Sequence, residues 1–335
     1  MACPNGVWAR ASQEGFASAA PLPQKVRHQS RFVSSLSPIF IIAGPTAVGK
    51  SELAVEVAER CHGEIVSADA FQIYEGFDIL TAKPEPALLA RVPHHLIGEI
   101  PRKQSFDAAQ YRELAEERIA GIRERGRIPI IVGGAGFYLK ALTHGLPNLP
   151  SSDAGLRSQL DSEATPELAR RLAELDPEGH SRIDRQNRRR LIRALEVCIL
   201  TGQPFSSFRE QIQQPVRRFS GVVLDRDREE LYARIDRRTE AMFEAGVVEE
   251  VRHSDETGET AAETLGWMPI RAHLSGAMTR EKCVELIQQA TRHYAKRQLT
   301  WFRREASLEW ILLAGEGLPA GLVEDLARRA GASVQ

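Results

Sequence analysis

The chain alternates short apolar runs with longer segments of mixed polarity. Four runs stand out: Ile39-Phe-Ile-Ile-Ala43, Gly63-Glu-Ile-Val-Ser67, Ile128-Pro-Ile-Ile-Val132 and Phe219-Ser-Gly-Val-Val-Leu224. Each is short and largely apolar without strict polar alternation, as in strands covered on both faces. After the first run, Glu52–Arg60 continues with apolar residues at helical spacing. Phe106–Arg125 reads as an amphipathic helix with Phe106, Leu114 and Ile122 among its apolar positions. The first and third runs end in glycine turns that open helices, the later one from Phe137. Strand, helix, strand and glycine turn therefore repeat, which predicts a parallel α/β sheet with helices on both faces.

Near Leu146-Pro-Asn-Leu-Pro150 the pattern changes. From Ala154 to about Gln214 only helical periodicity remains, broken at Asp176-Pro177 and Gly202-Gln-Pro204. An all-helical insertion over 146–214 is expected, inside a core made of 38–145 and 215–313. Residues 314–335 are expected to form a helix or tail. Within the returning part of the core, Glu229–Phe243 reads as an arginine-rich helix on which Arg234 and Arg238 share one face. Leu265-Gly266-Trp267 reads as a turn.

Composition narrows the class without naming a chemistry. The 335 residues are 42% hydrophobic and 27% charged with a net charge of −1, an ordinary globular balance. No apolar stretch approaches the length of a membrane span, so no membrane partner is expected. Cys3, Cys61, Cys198 and Cys283 lie far apart without metal-ligand spacing, which fits a reducing cytoplasm. Residues 1–37, rich in Ser, Ala, Pro and Gln, have the composition of an organelle transit peptide, but a disordered tail or a misassigned start is the expected reading.

The candidate chemistry begins where the first strand ends. Gly44-Pro45-Thr46-Ala47-Val48-Gly49-Lys50-Ser51 is the pattern of a phosphate-binding loop between strand and helix. Its glycines let successive backbone N–H groups and the helix N-terminus face one anion. Lys50 adds a positive charge, and the Ser51 hydroxyl suits Mg²⁺, so a diphosphate or triphosphate is expected here. Asp69 follows the second strand, at the sheet edge where such folds place their ligands. It reads equally as a metal- or proton-handling carboxylate and as a helix cap. Paired His94 and His95 lack a third ligand at useful spacing, and packing or a phosphate contact is the expected role.

Arginine is concentrated in the expected insertion. Arg182–Arg193 holds six arginines and one acid, a solvated face in many proteins but beside a phosphate site a nucleic-acid contact. Thr291–Arg304 interleaves basic and aromatic residues, which suits either backbone contact with base stacking or a helix with Tyr294, Trp301 and Phe302 in the core.

Taken in order, several segments resemble the tRNA dimethylallyltransferases, also called tRNA isopentenyltransferases. They are Gly44–Ser51, Ser67–Tyr74, Asp78–Pro84, Pro93–Leu96, Gly126–Gly134, Tyr138–Leu142, Arg190–Glu196, Leu231–Arg238 and Lys296–Trp301. The resemblance implies a P-loop NTPase-like fold and transfer of a dimethylallyl group from dimethylallyl diphosphate to the N6 amine of the adenosine beside the tRNA anticodon, at position 37, with Mg²⁺ as cofactor. It implies that residues 44–51 hold the diphosphate with Mg²⁺ on Ser51, and that Asp69 orients the amine and accepts its proton. Thr46, Lys50 and Arg238 would face the departing diphosphate. Asp69, Ala70, Phe71 and Gln72, with Arg157 and the run Arg189-Arg190-Leu191-Ile192-Arg193, match tRNA-contacting segments. Ala135 stands where the family has a threonine that would face the nucleotide. Two further departures are Leu80 in place of a glycine and Gly266-Trp267-Met268-Pro269 in place of a Gly-Tyr turn; the loop from Arg252 to Thr264 also looks short. A monomer is expected. The readings that compete are a P-loop kinase, which leaves the arginine helix unused, and a tRNA-binding relative with reduced catalysis.

Overall fold

The computed structural model describes residues 37–212, 215–254, 257–305, 307–315 and 317–332. The amino-terminal extension, apart from Ser37, and part of the short loop after Arg252 lie outside the described residues.

Six parallel strands form one sheet: β1 (Ile39–Ala43), β2 (Gly63–Ala68), β3 (His94–His95), β4 (Ile128–Gly133), β5 (Phe219–Arg226) and β6 (Glu309–Leu313). Their order is β3-β2-β4-β1-β5-β6. β1 is central and all five of its residues are buried, because strand geometry sends alternate side chains to opposite layers. Ile39, Ile41 and Ala43 join one core with the Ala108–Glu124 and Gly136–His144 helices. Phe40 and Ile42 join the other, with the Lys50–Cys61 and Arg228–Glu244 helices. An uninterrupted apolar run is what two covered faces require. The Ala108–Glu124 helix begins where Asp107 accepts from the Ala109 and Gln110 N–H groups while the Gln110 side chain accepts from the Asp107 N–H.

Two strands escaped the sequence reading. β3 has only two residues, and β6 pairs with β5 through a short, largely exposed edge. The Leu322–Ala332 helix packs Val323, Leu326, Ala327 and Ala330 into the core that also holds the Lys50–Cys61 helix, so this segment is a wall of the α/β core. The expected turn at Gly266 is instead a left-handed residue that opens the Trp267–Leu274 helix. The basic stretch from Thr291 lies on the Arg280–Phe302 helix, with Thr291, Ala295, Gln298 and Phe302 buried and Lys296 and Arg297 exposed.

Between residues 154 and 212 every described element is helical. Leu160, Leu168, Leu172, Leu191 and Leu195 close a separate small core there. At the β3 edge, His95 Nε2 lies 2.7 Å from Glu64 Oε2, and Arg125 Nη2 donates to the same oxygen at 2.7 Å. His94 Nδ1 lies 2.8 Å from the Val92 carbonyl. Among the described residues no group of three or more His, Cys, Asp or Glu is placed to hold a metal ion, and no helix is long and apolar enough to cross a membrane.

Between β5 and β1 the backbones leave no room for a side chain at Gly221. Gly221 has φ 148°, and a Cβ there would sit 2.0 Å from Ile41 O. Gly221→Ala is expected to destabilise the fold by more than about 2 kcal/mol, since neither backbone has room to retreat. Denaturant unfolding checks this; a loss below about 0.5 kcal/mol would show that the sheet opens at little cost.

Candidate active site

The register brings three strand ends together. Ala43 pairs with Gly133 and Val223, and Ala68 pairs with Gly133. The glycine loop after β1, Asp69 after β2 and the glycine turn after β4 therefore share one sheet edge. Between them lies a cleft of about 610 Å³ whose lining includes Thr46, Lys50, Ser51, Asp69, Gln72, Lys83 and Arg238.

The loop rises from β1 and enters its helix through Gly49, with Ala47 also left-handed at φ 64°. Cations draw its carbonyl oxygens aside. Lys50 Nζ donates to Pro45 O at 2.7 Å, Arg234 Nε to Ala47 O at 2.9 Å and Arg226 Nε to Val48 O at 2.9 Å. Arg226 is buried, pairs with Glu230 and also donates to Gly315 O at 2.7 Å. Thr46 is held at both ends: its N–H donates to Gln298 Oε1 at 2.9 Å, and its hydroxyl accepts from Arg238 Nη2 at 2.7 Å. Arg234 and Arg238 share a helix face, as their spacing predicts, and both line the cleft.

Asp69 unites its two readings. Its Oδ1 accepts from the Phe71 N–H at 3.0 Å and the Gln72 N–H at 3.2 Å, a cap on a turn. Its Oδ2 makes no hydrogen bond among the described residues, and the residue lines the cleft. Burial lowers the Lys50 ammonium to about 8, against the opposing pull of Asp69 and with the help of Arg238. Burial likewise pushes the Arg238 guanidinium down, again opposed by Asp69. Two cations and one carboxylate thus share a partly dehydrated space, an arrangement that an added anion relieves.

Ala135 offers only a buried methyl group, and its N–H donates to Ala68 O at 3.0 Å. Gln72 Nε2 donates to Thr81 O at 3.3 Å and Ala82 O at 3.0 Å, which fastens the 77–84 loop to the rim. From outside, Glu250 accepts the N–H groups of Asp78, Ile79 and Leu80 at 2.7, 2.8 and 2.7 Å. Leu80 is buried, and a Cβ on Gly266 would lie 3.1 Å from its Cδ1. The Trp267 ring lies 5.3 Å from that of Phe77. The departures at Leu80 and at Gly266-Trp267 therefore form one packing unit behind the cleft wall.

The arginine-rich segment divides. Glu196 is fully buried, and Arg157 holds it with two bonds at 2.9 and 3.0 Å while Arg193 pairs with its Oε2. Burial pushes the Glu196 carboxyl up, but these two arginines and the Asp153 N–H together bring it below the usual range. Leu191 and Ile192 are buried, so their side chains pack the insertion and offer no contact surface. Arg189 pairs with Glu263 of the 261–263 turn, and Arg190 is exposed. Of the segment from 189 to 193, Arg189 and Arg190 present charge outward. Gln298, Arg226 and Glu250 escaped the sequence reading, because each acts on a backbone group remote in the chain.

Sheet, glycine loop and cleft define a P-loop-like α/β protein with its site at the carboxyl ends of the central strands. A family model described as IPP transferase matches residues 72–305. The tRNA dimethylallyltransferase 1 of Citrifermentans bemidjiense is 45% identical over 288 residues, covering 83% of this chain and 92% of the relative. That of Geobacter sulfurreducens is 43% identical over 289 residues, covering 83% and 92%. The solved tRNA isopentenylpyrophosphate transferase of Bacillus halodurans superposes with a TM-score of 0.64 at 32% identity, covering 90% of this chain and 97% of that one. The chain belongs to the IPP transferase family.

The lowered Lys50 ammonium predicts a pH dependence of anion binding. If the cleft takes an alkyl diphosphate, whose last proton leaves at about pH 6, its binding needs Lys50 charged. Affinity is expected to be flat between about pH 7 and 8, where the ligand has lost its last proton and Lys50 still holds its own. Above 8 it is expected to fall about tenfold per unit, because the free ammonium loses its proton near 8 while the bound one is stabilised by the ligand. Calorimetric titration checks this, with Lys50→Met expected to bind weakly and without the slope. A flat profile up to about pH 9.5 in the parent would remove Lys50 from the anion site.

Proposed function

We propose that the protein transfers the dimethylallyl group of dimethylallyl diphosphate to the N6 amine of the adenosine next to the tRNA anticodon, at position 37. The observation that carries this reading is one cleft lined by Lys50, the Thr46–Arg238 pair and a free oxygen of Asp69. The relatives named above agree with it: they are tRNA dimethylallyltransferases.

In this reading the loop residues 44–51 hold the diphosphate, with Lys50 and Arg238 balancing its charge. The C–O bond between the prenyl C1 and the diphosphate breaks with its electron pair leaving on the diphosphate. The N6 lone pair forms the new C–N bond, and Asp69 takes the proton that N6 sheds. The Thr46 hydroxyl and Arg238 meet the leaving oxygen, where charge grows in the transition state. A stacked adenine cannot enter such a cleft, so the base is flipped out of its strand. Mg²⁺ belongs to the same reading: the Ser51 hydroxyl lines the cleft without a hydrogen bond among the described residues, and a single hard protein ligand suits an ion that also binds phosphate oxygens and water. When bound, it supplies further neutralisation of the leaving group. The arginine-rich segment then contacts the tRNA backbone. Incubation with tRNA and dimethylallyl diphosphate, followed by mass analysis of the nucleosides, tests the reading; unmodified adenosine throughout would overturn it.

Asp69→Asn separates the turn from the chemistry. Asparagine keeps the acceptor for the Phe71 and Gln72 N–H groups but cannot take a proton. Its melting point is expected within a few degrees of the parent, with turnover at least about 100-fold lower. Near-parental turnover would make Asp69 a turn residue only.

Arg190 and Arg193 are expected to behave differently. Arg190→Ala should leave stability within about 0.5 kcal/mol and reduce the salt slope of tRNA binding by about 0.9. Arg193→Ala should cost about 1–3 kcal/mol, since buried Glu196 loses a partner. Unfolding and salt-titrated binding measure the two; equal slopes and equal stabilities would erase the division.

A further inference from the structure

Gln298 lies on the buried face of the Arg280–Phe302 helix and is 5% exposed. Its amide is used at both ends. Oε1 accepts the Thr46 N–H at 2.9 Å, and Nε2 donates to Gly134 O at 2.9 Å. These partners fix the orientation of the amide, because an N–H must meet the oxygen and a carbonyl the nitrogen. The turn after β4 is shaped to admit it: a Cβ on Gly134 would sit 2.1 Å from Nε2. The Thr46 N–H is thereby turned toward the protein, and what Thr46 offers the cleft is its hydroxyl, already joined to Arg238.

We propose that Gln298 is a positioning residue for the transfer step: its bond to the Thr46 N–H fixes the loop so that the Thr46 hydroxyl and Arg238 meet the diphosphate oxygen as the C–O bond breaks. This rests on the transfer reading above. Gln298 is not among the residues that line the cleft. It sets where Thr46 stands, and displacement of a reacting group by about 1 Å can cost about 100-fold in rate. The Gln298→Met side chain matches the length and fills the space without either hydrogen bond.

The test is a double-mutant cycle with Thr46→Ala, read in kcat and KM with tRNA and dimethylallyl diphosphate. Gln298→Met is expected to lower kcat about 10- to 100-fold with both KM values within about twofold, and to add no loss in the Thr46→Ala background. Losses that multiply across the cycle, or a rise in both KM values with a lowered melting point, would assign Gln298 to the fold alone. Hydrogen exchange at the Thr46 amide needs no substrate. It should quicken at least about tenfold in Gln298→Met, the amide having lost its acceptor. If the parent makes no product, the transfer reading fails, and an exchange rate unchanged by the substitution overturns the Gln298–Thr46 coupling itself.

Discussion

A phosphate loop has to turn its own carbonyl oxygens away from the anion it receives. Here Lys50, Arg234 and Arg226 take the oxygens of Pro45, Ala47 and Val48. Arg226 comes from the end of β5 and Arg234 from the helix that follows, so the loop's shape depends on a strand and a helix made long after it in the sequence. The loop is therefore only partly a local structure. Its glycines permit the curve, and remote arginines select it.

Charge in the cleft follows from the same geometry. Burial weakens the hold of Lys50 and Arg238 on their protons, and Asp69 partly restores it. In the proposed reading a diphosphate at this edge would relieve two desolvated cations at once, whereas the carboxylate keeps one oxygen committed to its turn. The insertion uses the opposite arrangement. There the buried charge is Glu196, and Arg157 and Arg193 satisfy it. Identical residue types thus line an open cleft in one place and satisfy a buried carboxylate in the other.

Much of this was legible in the chain. Apolar runs marked β1, β2, β4 and β5 because both their faces are covered, and the spacing of the glycine loop with Lys50 and Ser51 marked the turn that lines the cleft. Asp69 was visible by its place after a strand, although the fold alone sets one oxygen capping the turn and leaves the other without a hydrogen bond among the described residues. β3 and β6 were hidden because two residues, or a short exposed edge, leave no hydrophobic signature. Gln298 and Glu250 were hidden for a different reason: each satisfies backbone groups, and backbone groups carry no sequence. The arginine-rich helix was legible as charge, but its division could not be read without knowing that Glu196 is buried.

The packing of the Leu322–Ala332 helix against the Lys50–Cys61 layer has a consequence for the order of assembly. β1 waits for β4 on one side and for β5 on the other, and the helix that leaves the glycine loop waits for a segment from the far end of the described chain. During synthesis the strand-loop-helix unit emerges early yet stays half-walled, without Val323, Leu326, Ala327 and Ala330 to complete its core, until nearly everything else has been translated. Parallel sheets close slowly because their neighbours are distant in sequence. A nascent chain of this kind spends most of its synthesis with its most sensitive layer open, and that interval is when it has most need of a chaperone's cover.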